Sequence, residues 1–520
     1  MGPGRVARTP LPEAIATPAR VDTSIGALEL PLGIPTRETA DRAYAYLDEL
    51  RAVEAFTSSL APVSLYAIRE GLRGAGIADH DVLLFPRLMD SRSLFLTANA
   101  DTVYFVAFLD LGDGPVVVDV PPRVLGVADD MWFRWVTDFG ISGPDRGEGG
   151  RYLFVPPDHA GALPEGGCYI CRSRTNHVLL LGRAFLEDDD PAPAEASIRE
   201  HLKIAPYVAG GVGSSIAAFL RGDGPLAAPI APPRMRFVDG SGLAIDTIPP
   251  NDASFFDMLD AVVQLEPASA MDPELAGQFA ALGIVKDRPF DPDERTRQQL
   301  ARSVALANAI ARVIAMRPRE QECFGYYDGS AWLNTLFVGG YTFSQPPAVV
   351  GERGVEPAAD PNARALASRT AFFYLATGVT PAMAMRLTDV GSQYLGAFVD
   401  ANGEPLDGAY AYRIVLPPGI PAARFWSVTL YDNQSRSMLQ TDQLYPRAGS
   451  QAYPSPAAVA SDDGSIAIHL APACPDGVAR GNWIQTVPGA GYFAILRFYG
   501  PQASFFDRTW RPSEIERVAR

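Results

Sequence analysis

Hydrophobic positions follow the helical period in two regions of the chain. In residues 36–72, Tyr44, Leu47, Val53 and Phe56 lie near helical spacing, and we expect Pro62 to divide this region into two helices. The middle of the chain returns to the same period. It predicts helices over residues 194–202, 254–265, 273–281 and 293–316.

Short apolar runs bounded by turn residues predict strands on both sides of that middle region. Gly112–Gly114 and Asn402–Gly403 are typical of hairpin turns between such strands. Strands joined by tight turns favour antiparallel sheets. The predicted fold class is α+β, with two antiparallel β-sandwich or jelly-roll-like domains and helical N-terminal and middle segments. The predicted strands cover residues 93–98, 102–111, 115–120, 131–138, 151–155 and 169–174, then 393–400, 409–416, 425–431, 466–470, 483–487 and 492–499.

The same changes of pattern predict the order of domains. We expect a flexible tail (1–22), an N-terminal helix plus β-sandwich domain (23–245), a helical middle segment (246–343), a linker rich in proline and glycine (344–362) and a C-terminal β-sandwich domain (363–520). The N-terminus lacks the apolar stretch of a signal peptide, and no apolar run reaches the ~18 residues of a membrane span. These observations predict a cytoplasmic protein without a membrane partner.

Charge and composition exclude several classes of chemistry. The 520 residues include 44 basic and 60 acidic side chains, and the net charge of −16 argues against nucleic acid as the main partner. Lys203 and Lys286 are the only lysines, and the five histidines are dispersed. The spacing of Cys168 and Cys171 matches a redox motif, but in a strand-like run their sulfurs diverge. We therefore expect no tightly bound zinc or iron and no cofactor, and calcium bound by carboxylates stays open as an alternative.

The segment 130–138 carries the most informative polar pattern. As a strand, it would place Asp130, Trp132, Arg134, Val136 and Asp138 on one face, opposite a core face. Carboxylates, a guanidinium and an indole suit a pocket that binds a polar ring by stacking and charged hydrogen bonds. The alternative is a structural network of Arg and Asp side chains that orders a loop.

Further candidate ligand contacts lie in loops. The glycine-rich stretch 143–150 places Asp145 and Arg146 beside the end of that strand, where a solvated turn is the alternative. In the C-terminal part, Tyr431 belongs to a hydroxyl-bearing strand face, and Gln440 and Asn482 lie in amide-rich stretches. Such stretches are common both in sugar-binding sites and in ordinary turns.

Scarcity of histidine and lysine points to carboxylates for any acid–base chemistry. We expect Asp101 and Asp138 to form the catalytic pair, with Asp130 as a further candidate, Arg134 orienting the substrate and Tyr104 or Trp132 stacking on it. The alternative is that Asp101 caps a strand and Asp138 pairs with Arg146. In a glycoside hydrolase the two carboxyl groups would lie about 5–5.5 Å apart for retention of configuration, or roughly 6.5–9.5 Å apart for inversion.

Several blocks together resemble a bacterial family with two tandem domains of unknown function, DUF1254 followed by DUF1214. The resemblance extends over residues 23–516 and implies β-sandwich or jelly-roll domains with a helical middle, often in a homo-oligomer. It implies no settled reaction. The blocks that carry it are Leu96–Phe105, Asp129–Phe139, Gly143–Gly147 and Arg172–Thr175 for the first domain, and Phe425–Asp432, Ser437–Gln443, Gly481–Pro488 and Trp510–Pro512 for the second.

Three functions follow as expectations. The first is binding, and possible transformation, of a small polar or cyclic molecule such as a glycan or glycoside by carboxylate acid–base chemistry. The second is a non-enzymatic, lectin-like or assembly protein. The third is a metal-free isomerase or cyclase with an aromatic-lined pocket for a hydrophobic metabolite. A closed cavity beside the 130–138 segment would favour the first or the third function.

Overall fold

Two β-sandwiches, one on each side of the helical region, organise the chain. The computed structural model describes residues 9–208, 220–221, 235–320, 324–351 and 354–518. Within these residues the fold is mixed α+β, as predicted. No helix in this part of the chain is both long and apolar enough to cross a membrane.

The N-terminal sandwich contains a six-stranded sheet in the order β12-β3-β4-β10-β6-β7 and a four-stranded sheet in the order β11-β5-β8-β9. Valine, leucine and phenylalanine side chains from both sheets fill one core between them. The strands before the helical region are β1 (Arg20–Thr23), β2 (Gly26–Glu29), β3 (Val82–Leu84), β4 (Val103–Asp110), β5 (Val116–Val120), β6 (Val124–Asp130), β7 (Trp135–Gly140), β8 (Gly150–Val155), β9 (Tyr169–Arg172), β10 (His177–Ala184), β11 (Lys203–Pro206) and β12 (Phe237–Asp239).

The C-terminal sandwich pairs a sheet of order β17-β23-β19-β20 with one of order β22-β21-β18-β24. Trp426, Val428 and Leu430 point into its core, as the alternation along that strand predicted. The remaining strands are β13 (Ser344–Gln345), β14 (Val349–Gly351), β15 (Gly354–Glu356), β16 (Ala363–Arg364), β17 (Ser392–Ala397), β18 (Tyr412–Leu416), β19 (Ala422–Asp432), β20 (Arg447–Gly449), β21 (Ile466–Ala471), β22 (Trp483–Gln485), β23 (Tyr492–Pro501) and β24 (Glu516–Arg517).

A helical layer fills the space beside the two sandwiches. Phe56, Phe255, Val304 and Phe373, from four different helices, join one core with residues from the outer faces of β4, β10, β19 and β23. The helices are α1 (Arg37–Gly74), α2 (Ala192–His201), α3 (Ser254–Leu265), α4 (Pro273–Ala280), α5 (Glu294–Met316), α6 (Leu366–Leu375), α7 (Pro381–Ala384) and α8 (Ala503–Phe506).

The predicted strand over residues 131–138 is wrong. Strand β6 ends at Asp130, the chain reverses, and β7 begins at Trp135. The Asp130 carboxylate accepts hydrogen bonds from the backbone N–H groups of Trp132 (2.9 Å) and Arg134 (3.1 Å), which favours a turn over a strand. Phe133 adopts a positive φ of 50° within it. The alternation of polar and apolar residues over 131–138 therefore does not indicate a continuous strand.

Three smaller predictions also fail. Helix α1 continues through Pro62, whose side chain is buried in the helical core, so tertiary packing outweighs the missing hydrogen bond. Gly112–Gly114 connects β4 and β5, which lie in different sheets and do not form a hairpin. Residues 93–98 form a loop, with one isolated β-bridge between Leu94 and Asp246. Each error concerns long-range partners that local sequence does not encode.

The sheets are not wholly antiparallel. The pairs β3–β12, β8–β9 and β21–β22 are parallel, and each includes the outermost strand of its sheet. The expected linker 344–362 contributes the short strands β13, β14 and β15. In the expected N-terminal tail, β1 begins at Arg20 and pairs with β2, and residues 1–8 lie outside the described part of the chain.

Candidate functional site

A cavity lies where the outer face of the six-stranded sheet meets the outer face of the C-terminal sheet that contains β17 and β23. Its volume is about 190 Å³. Tyr104, Val106, Leu181 and Arg183 reach it from β4 and β10, and Arg497 reaches it from β23. The site is therefore assembled from both sandwiches.

Most of the cavity wall is apolar. Helices α5 and α6 and the segments around them close the space between the two sheets. Such a wall favours ligands that lose apolar surface to water when they bind. Representative apolar side chains in the wall are Leu96, Leu181, Phe372, Met383, Phe398 and Ile495.

Polar groups concentrate in a cluster of two arginines and two tyrosines. Arg183 on β10 stands directly opposite Tyr104 on β4, and Arg497 on β23 stands directly opposite Tyr394 on β17. Arg183 donates to the Tyr104 hydroxyl at 3.2 Å, and the Arg497 guanidinium lies 5.3 Å from the centre of the Tyr394 ring. We call these four residues the arginine–tyrosine cluster.

Further contacts hold the arginine–tyrosine cluster in place from both domains. Arg183 donates to the Ser392 hydroxyl at 3.0 Å, and that hydroxyl lies 2.5 Å from the Tyr394 hydroxyl. Arg497 donates to the backbone oxygen of Thr97 at 2.6 Å. Both guanidinium groups are thus fixed in position without a carboxylate partner among the ion pairs of the described residues.

A second polar corner lies behind the hydroxyl groups of Ser142 and Thr380, which line the same cavity. The Asp138 carboxylate accepts hydrogen bonds from the Trp135 indole (2.8 Å) and from the Thr380 hydroxyl (2.9 Å). Burial raises the pKa of Asp138 to about 6, although these hydrogen bonds oppose the shift. Burial also raises the pKa of Asp129, whose carboxylate accepts the backbone N–H of Val379 at 2.9 Å.

Asp101 and Asp138 share no hydrogen-bond or ion-pair partner among the described residues. Asp101 is fully buried and forms an ion pair with Arg447 at 2.8 Å. Its other oxygen accepts hydrogen bonds from Ser427 (2.7 Å) and Tyr499 (3.0 Å). Neither aspartate is among the residues that line the cavity. Asp101 therefore joins the two sandwiches, whereas Asp138 belongs to the cavity's second polar corner.

Asp130, Trp132 and Arg134 remain neighbours within the turn between β6 and β7. The Asp130 carboxylate forms an ion pair with Arg134 at 2.6 Å, and Arg134 also donates to the backbone oxygen of Ala270. Its guanidinium lies 5.7 Å from the centre of the Trp132 ring. This arrangement corresponds to the structural network that the sequence left open as the alternative.

The glycine-rich loop after β7 is also held by internal contacts. Asp145 accepts hydrogen bonds from the backbone N–H groups of Gly140 and Gly149 and from the hydroxyl of Tyr152. Arg146 is exposed and adopts a positive φ of 52°. Neither Asp145 nor Arg146 lines the cavity.

The three C-terminal candidates lie in different surroundings. The fully buried Tyr431 donates to the backbone oxygen of Ala98 at 2.6 Å and accepts from Arg497 at 2.6 Å, so it supports the arginine–tyrosine cluster. Gln440 is exposed. Asn482 holds a loop through hydrogen bonds with the backbone of Val459 and Ala467.

Sequence reasoning placed Tyr104 at the site but missed Arg183, Arg497 and Tyr394. A signal was nevertheless present, because both arginines interrupt strands that are otherwise apolar. Arginine is rarely buried without a partner, so an arginine at such a position indicates a buried ion pair or a ligand site.

One group of potential metal ligands lies elsewhere in the described residues. Ligand atoms of Asp79, Asp110 and His177 lie within 4.8 Å of one another. The Arg69 guanidinium occupies the same neighbourhood, because it donates to both Asp79 oxygens and lies 3.3 Å from Nε2 of His177. The Arg69 guanidinium thus already supplies the positive charge that a metal cation would bring to these ligands.

Fold and site together define a two-sandwich α+β protein with a ligand-sized cavity between its sandwiches. Family models identify the two regions. Residues 82–206 match the protein of unknown function DUF1254, and residues 391–503 match the protein of unknown function DUF1214. The chain therefore carries the tandem DUF1254–DUF1214 arrangement that its sequence blocks indicated.

Two solved structures illustrate the similarity of this chain to other proteins. The VPA0106 protein of Vibrio parahaemolyticus has 19% sequence identity and a TM-score of 0.49, with 91% of this chain and 100% of that chain covered. An uncharacterised protein of Burkholderia cenocepacia has 12% identity and a TM-score of 0.37, with coverage of 92% and 96%. The comparison with curated proteins gave no match.

Proposed function

We propose that this protein binds a small molecule with a large apolar surface in the cavity between its two β-sandwiches. The observation that carries the proposal is the cavity itself, which has a mostly apolar wall and one concentrated polar cluster. Small-molecule sites typically combine these two features, because apolar contact supplies affinity and a few polar groups fix orientation.

Among the three expected functions, this proposal is nearest to the aromatic-lined pocket for a hydrophobic metabolite. A glycan carries hydroxyl groups around its whole ring and needs hydrogen-bonding partners on most sides. Here the guanidinium and phenol groups lie together, and the rest of the wall includes Leu96, Leu181 and Phe398. The distribution of polar groups favours a ligand with one polar end.

Binding of neutral apolar compounds tests the proposal directly. Ala376 lines the cavity, and Ala376→Phe places a ring where the ligand would lie. Calorimetric titration with 1-decanol should show binding to the wild type, with a negative heat-capacity change, and at least about tenfold weaker binding to the variant. A panel of methyl glycosides should not bind.

Ala301→Phe is the matched control, because Ala301 is exposed on α5. This variant should bind 1-decanol as the wild type does. If 1-decanol does not bind to the wild type, or binds equally to both variants, the cavity is not the binding site. Melting temperatures of both variants show whether Ala376→Phe has kept the fold.

A second candidate function, acid–base catalysis, is favoured by the position and protonation of Asp138. A carboxyl group with a pKa of about 6 can donate or accept a proton near neutral pH. It would act on a ligand in the cavity through the hydroxyl group of Thr380. In this proposal Asp138 keeps the catalytic role expected from the sequence, without Asp101 as its partner.

Turnover assays test that second candidate. Wild-type protein would be assayed against chromogenic aryl esters and aryl glycosides at pH 6, with Asp138→Asn as the test variant. We expect turnover by the wild type and at least about a hundredfold loss in the variant, because general acid–base groups contribute on that order. Absence of turnover by the wild type, or equal rates in the two proteins, would contradict acid–base catalysis by Asp138.

A further inference from the structure

We infer that the ligand in this cavity carries an oxyanion, of which a carboxylate is the simplest case, and that Arg183 and Arg497 bind it. This inference rests on the proposed function and adds the chemical class of the ligand. It starts from the burial of the two side chains, which are only 7% and 4% exposed. Both line the cavity.

The three other buried arginines among the described residues do not line the cavity. Arg69 forms an ion pair with Asp79 at 2.6 Å, and Arg447 forms one with Asp101 at 2.8 Å. Arg436 has only neutral hydrogen-bond partners and packs over the Tyr374 ring, but it does not line the cavity. Arg183 and Arg497 alone combine burial, a place in the cavity wall and neutral partners among the described residues.

The hydrogen bonds of the two guanidinium groups leave donors unused. Each guanidinium has five N–H donors. Arg183 donates one bond each to Tyr104 and Ser392. Among the described residues, Arg497 donates hydrogen bonds through a single terminal nitrogen, and its buried Nε has no acceptor. These vacant donors belong to groups whose positions are already fixed by the surrounding structure.

The charges of the buried side chains near the cavity also favour an anionic ligand. Arg183, Arg497 and Arg447 supply three positive charges, and Asp101, which is paired with Arg447, supplies one negative charge. Among the described residues, two positive charges therefore remain without a compensating carboxylate in a largely apolar interior. A bound carboxylate or similar oxyanion would accept the vacant N–H donors and offset this charge.

The rest of the cavity determines the shape of that ligand. Beyond the arginine–tyrosine cluster the wall is apolar, with Leu181, Phe372 and Ile495 among its side chains. A ligand that satisfies both regions has an anionic group at one end and a hydrocarbon body. Organic acids with an aliphatic chain or a ring system fit this description.

Three probes with the same ten-carbon chain separate charge from apolar contact. Decanoate, 1-decanol and decyltrimethylammonium would be titrated at pH 8 into the full-length protein. We expect decanoate to bind at least about tenfold more tightly than 1-decanol, because charge-assisted hydrogen bonds contribute that much or more. The cationic probe should bind more weakly than either. Decyl sulfate, as a fourth probe, distinguishes a tetrahedral head group from a planar one.

Variants of Arg183 and Arg497 then test whether these two side chains bind the anionic group. Arg183→Met and Arg497→Met should each weaken decanoate binding by about tenfold or more and change 1-decanol binding by no more than about twofold. Arg424→Met is the matched control, because Arg424 is exposed and lies outside the cavity. If a methionine variant does not fold, Arg497→Lys keeps the charge and should retain part of the preference for decanoate.

The outcomes separate this inference from the proposed function. Equal binding of decanoate and 1-decanol to the wild type would overturn the inference and leave the cavity as an apolar binding site. A preference for decanoate that survives in both folded methionine variants would also overturn it. If neither probe binds, the proposed function fails together with the inference.

Discussion

Arg447 and Asp101 form a buried ion pair between the two sandwiches. Both side chains are fully buried, and they come from different sandwiches. Arg447→Met would leave the Asp101 carboxylate with only the hydroxyl groups of Ser427 and Tyr499. We expect the free energy of unfolding to fall by on the order of 3–5 kcal/mol, as for other buried pairs that lose one partner.

Urea unfolding measures this loss, and two further variants control it. Arg42→Met removes an ion pair with Glu38 at the protein surface and should cost no more than about 1 kcal/mol. Adding Asp101→Asn to Arg447→Met should recover part of the loss, because the unpaired charge disappears. A cost for Arg447→Met as small as that for Arg42→Met would show that the pair does not hold the sandwiches together.

A second prediction concerns Asp138 and the pH dependence of the free energy of unfolding. Its pKa is raised from 3.8 to about 6 in the folded protein, so folding favours the protonated form. The stability it contributes is fully present below about pH 4 and is lost as the pH rises through about 6. The total loss is about 3 kcal/mol. Asp138→Asn should therefore lack this part of the pH dependence.

Unfolding in urea, measured between pH 4 and pH 7.5, tests whether the contribution of Asp138 to stability falls as the pH rises. The stability of the wild type relative to Asp138→Asn should decrease over this range. Asp41→Asn, which removes an exposed carboxylate on α1, should follow the wild type closely. Parallel curves for Asp138→Asn and the wild type would contradict the raised pKa.

At the scale of elements, two glycines explain how β6 and β10 fit beneath aromatic rings. Gly126 and Gly182 are directly paired across the two strands. A Cβ atom on Gly126 would lie 2.0 Å from the Phe139 ring, and one on Gly182 would lie 2.1 Å from the Phe105 ring. The rings thus occupy the space that side chains would need, and the two glycines allow this packing.

Gly126→Ala should therefore destabilise the N-terminal sandwich by about 1–3 kcal/mol, because the Phe139 ring would have to move within a packed core. The matched control is Gly277→Ala in α4, where an added Cβ meets no atom within 4 Å and helix propensity favours alanine. Thermal unfolding of the two variants compares them. Equal melting temperatures would contradict the packing account of Gly126.

Elements with a strong local signal were predictable from sequence, and those defined by distant partners were not. Helix α3 was predicted at its observed bounds, because its apolar residues follow the helical period closely. The β6–β7 turn was missed because it depends on hydrogen bonds from backbone N–H groups to Asp130. Local alternation cannot distinguish such a turn from a strand.

The candidate site was less predictable than the elements for a related reason. Its arginines, Arg183 and Arg497, are 314 positions apart by their numbers and meet only because two sheets face each other. Sequence patterns describe which face of a strand is buried but not which distant face covers it. Tyr104 was identified from its own strand, whereas its neighbours in the cavity came from elsewhere in the chain.

At the scale of the whole molecule, the contacts between the sandwiches predict that they unfold together. Asn99 donates to the Tyr499 hydroxyl at 2.5 Å, Arg183 donates to Ser392 at 3.0 Å, and Arg497 donates to Thr97 at 2.6 Å. These buried contacts would all be lost if one sandwich opened alone.

Native-state hydrogen exchange in increasing urea tests this coupling. Amides in β4 and β10 should lose protection over the same range of urea concentration as amides in β19 and β23, with a common slope. Arg447→Met should shift both groups together. Separate transitions for the two sandwiches in the wild type would contradict a single cooperative unit.

In the proposed complex an amphipathic anion occupies the cavity with its charged end at Arg183 and Arg497. A crystal structure with bound 10-bromodecanoate tests this arrangement most directly, because anomalous scattering locates the bromine and the density locates the carboxylate. We expect the bromine to lie among the apolar side chains and the carboxylate to lie within hydrogen-bonding distance of both arginines. An empty cavity at saturating ligand, or the opposite orientation, would contradict it.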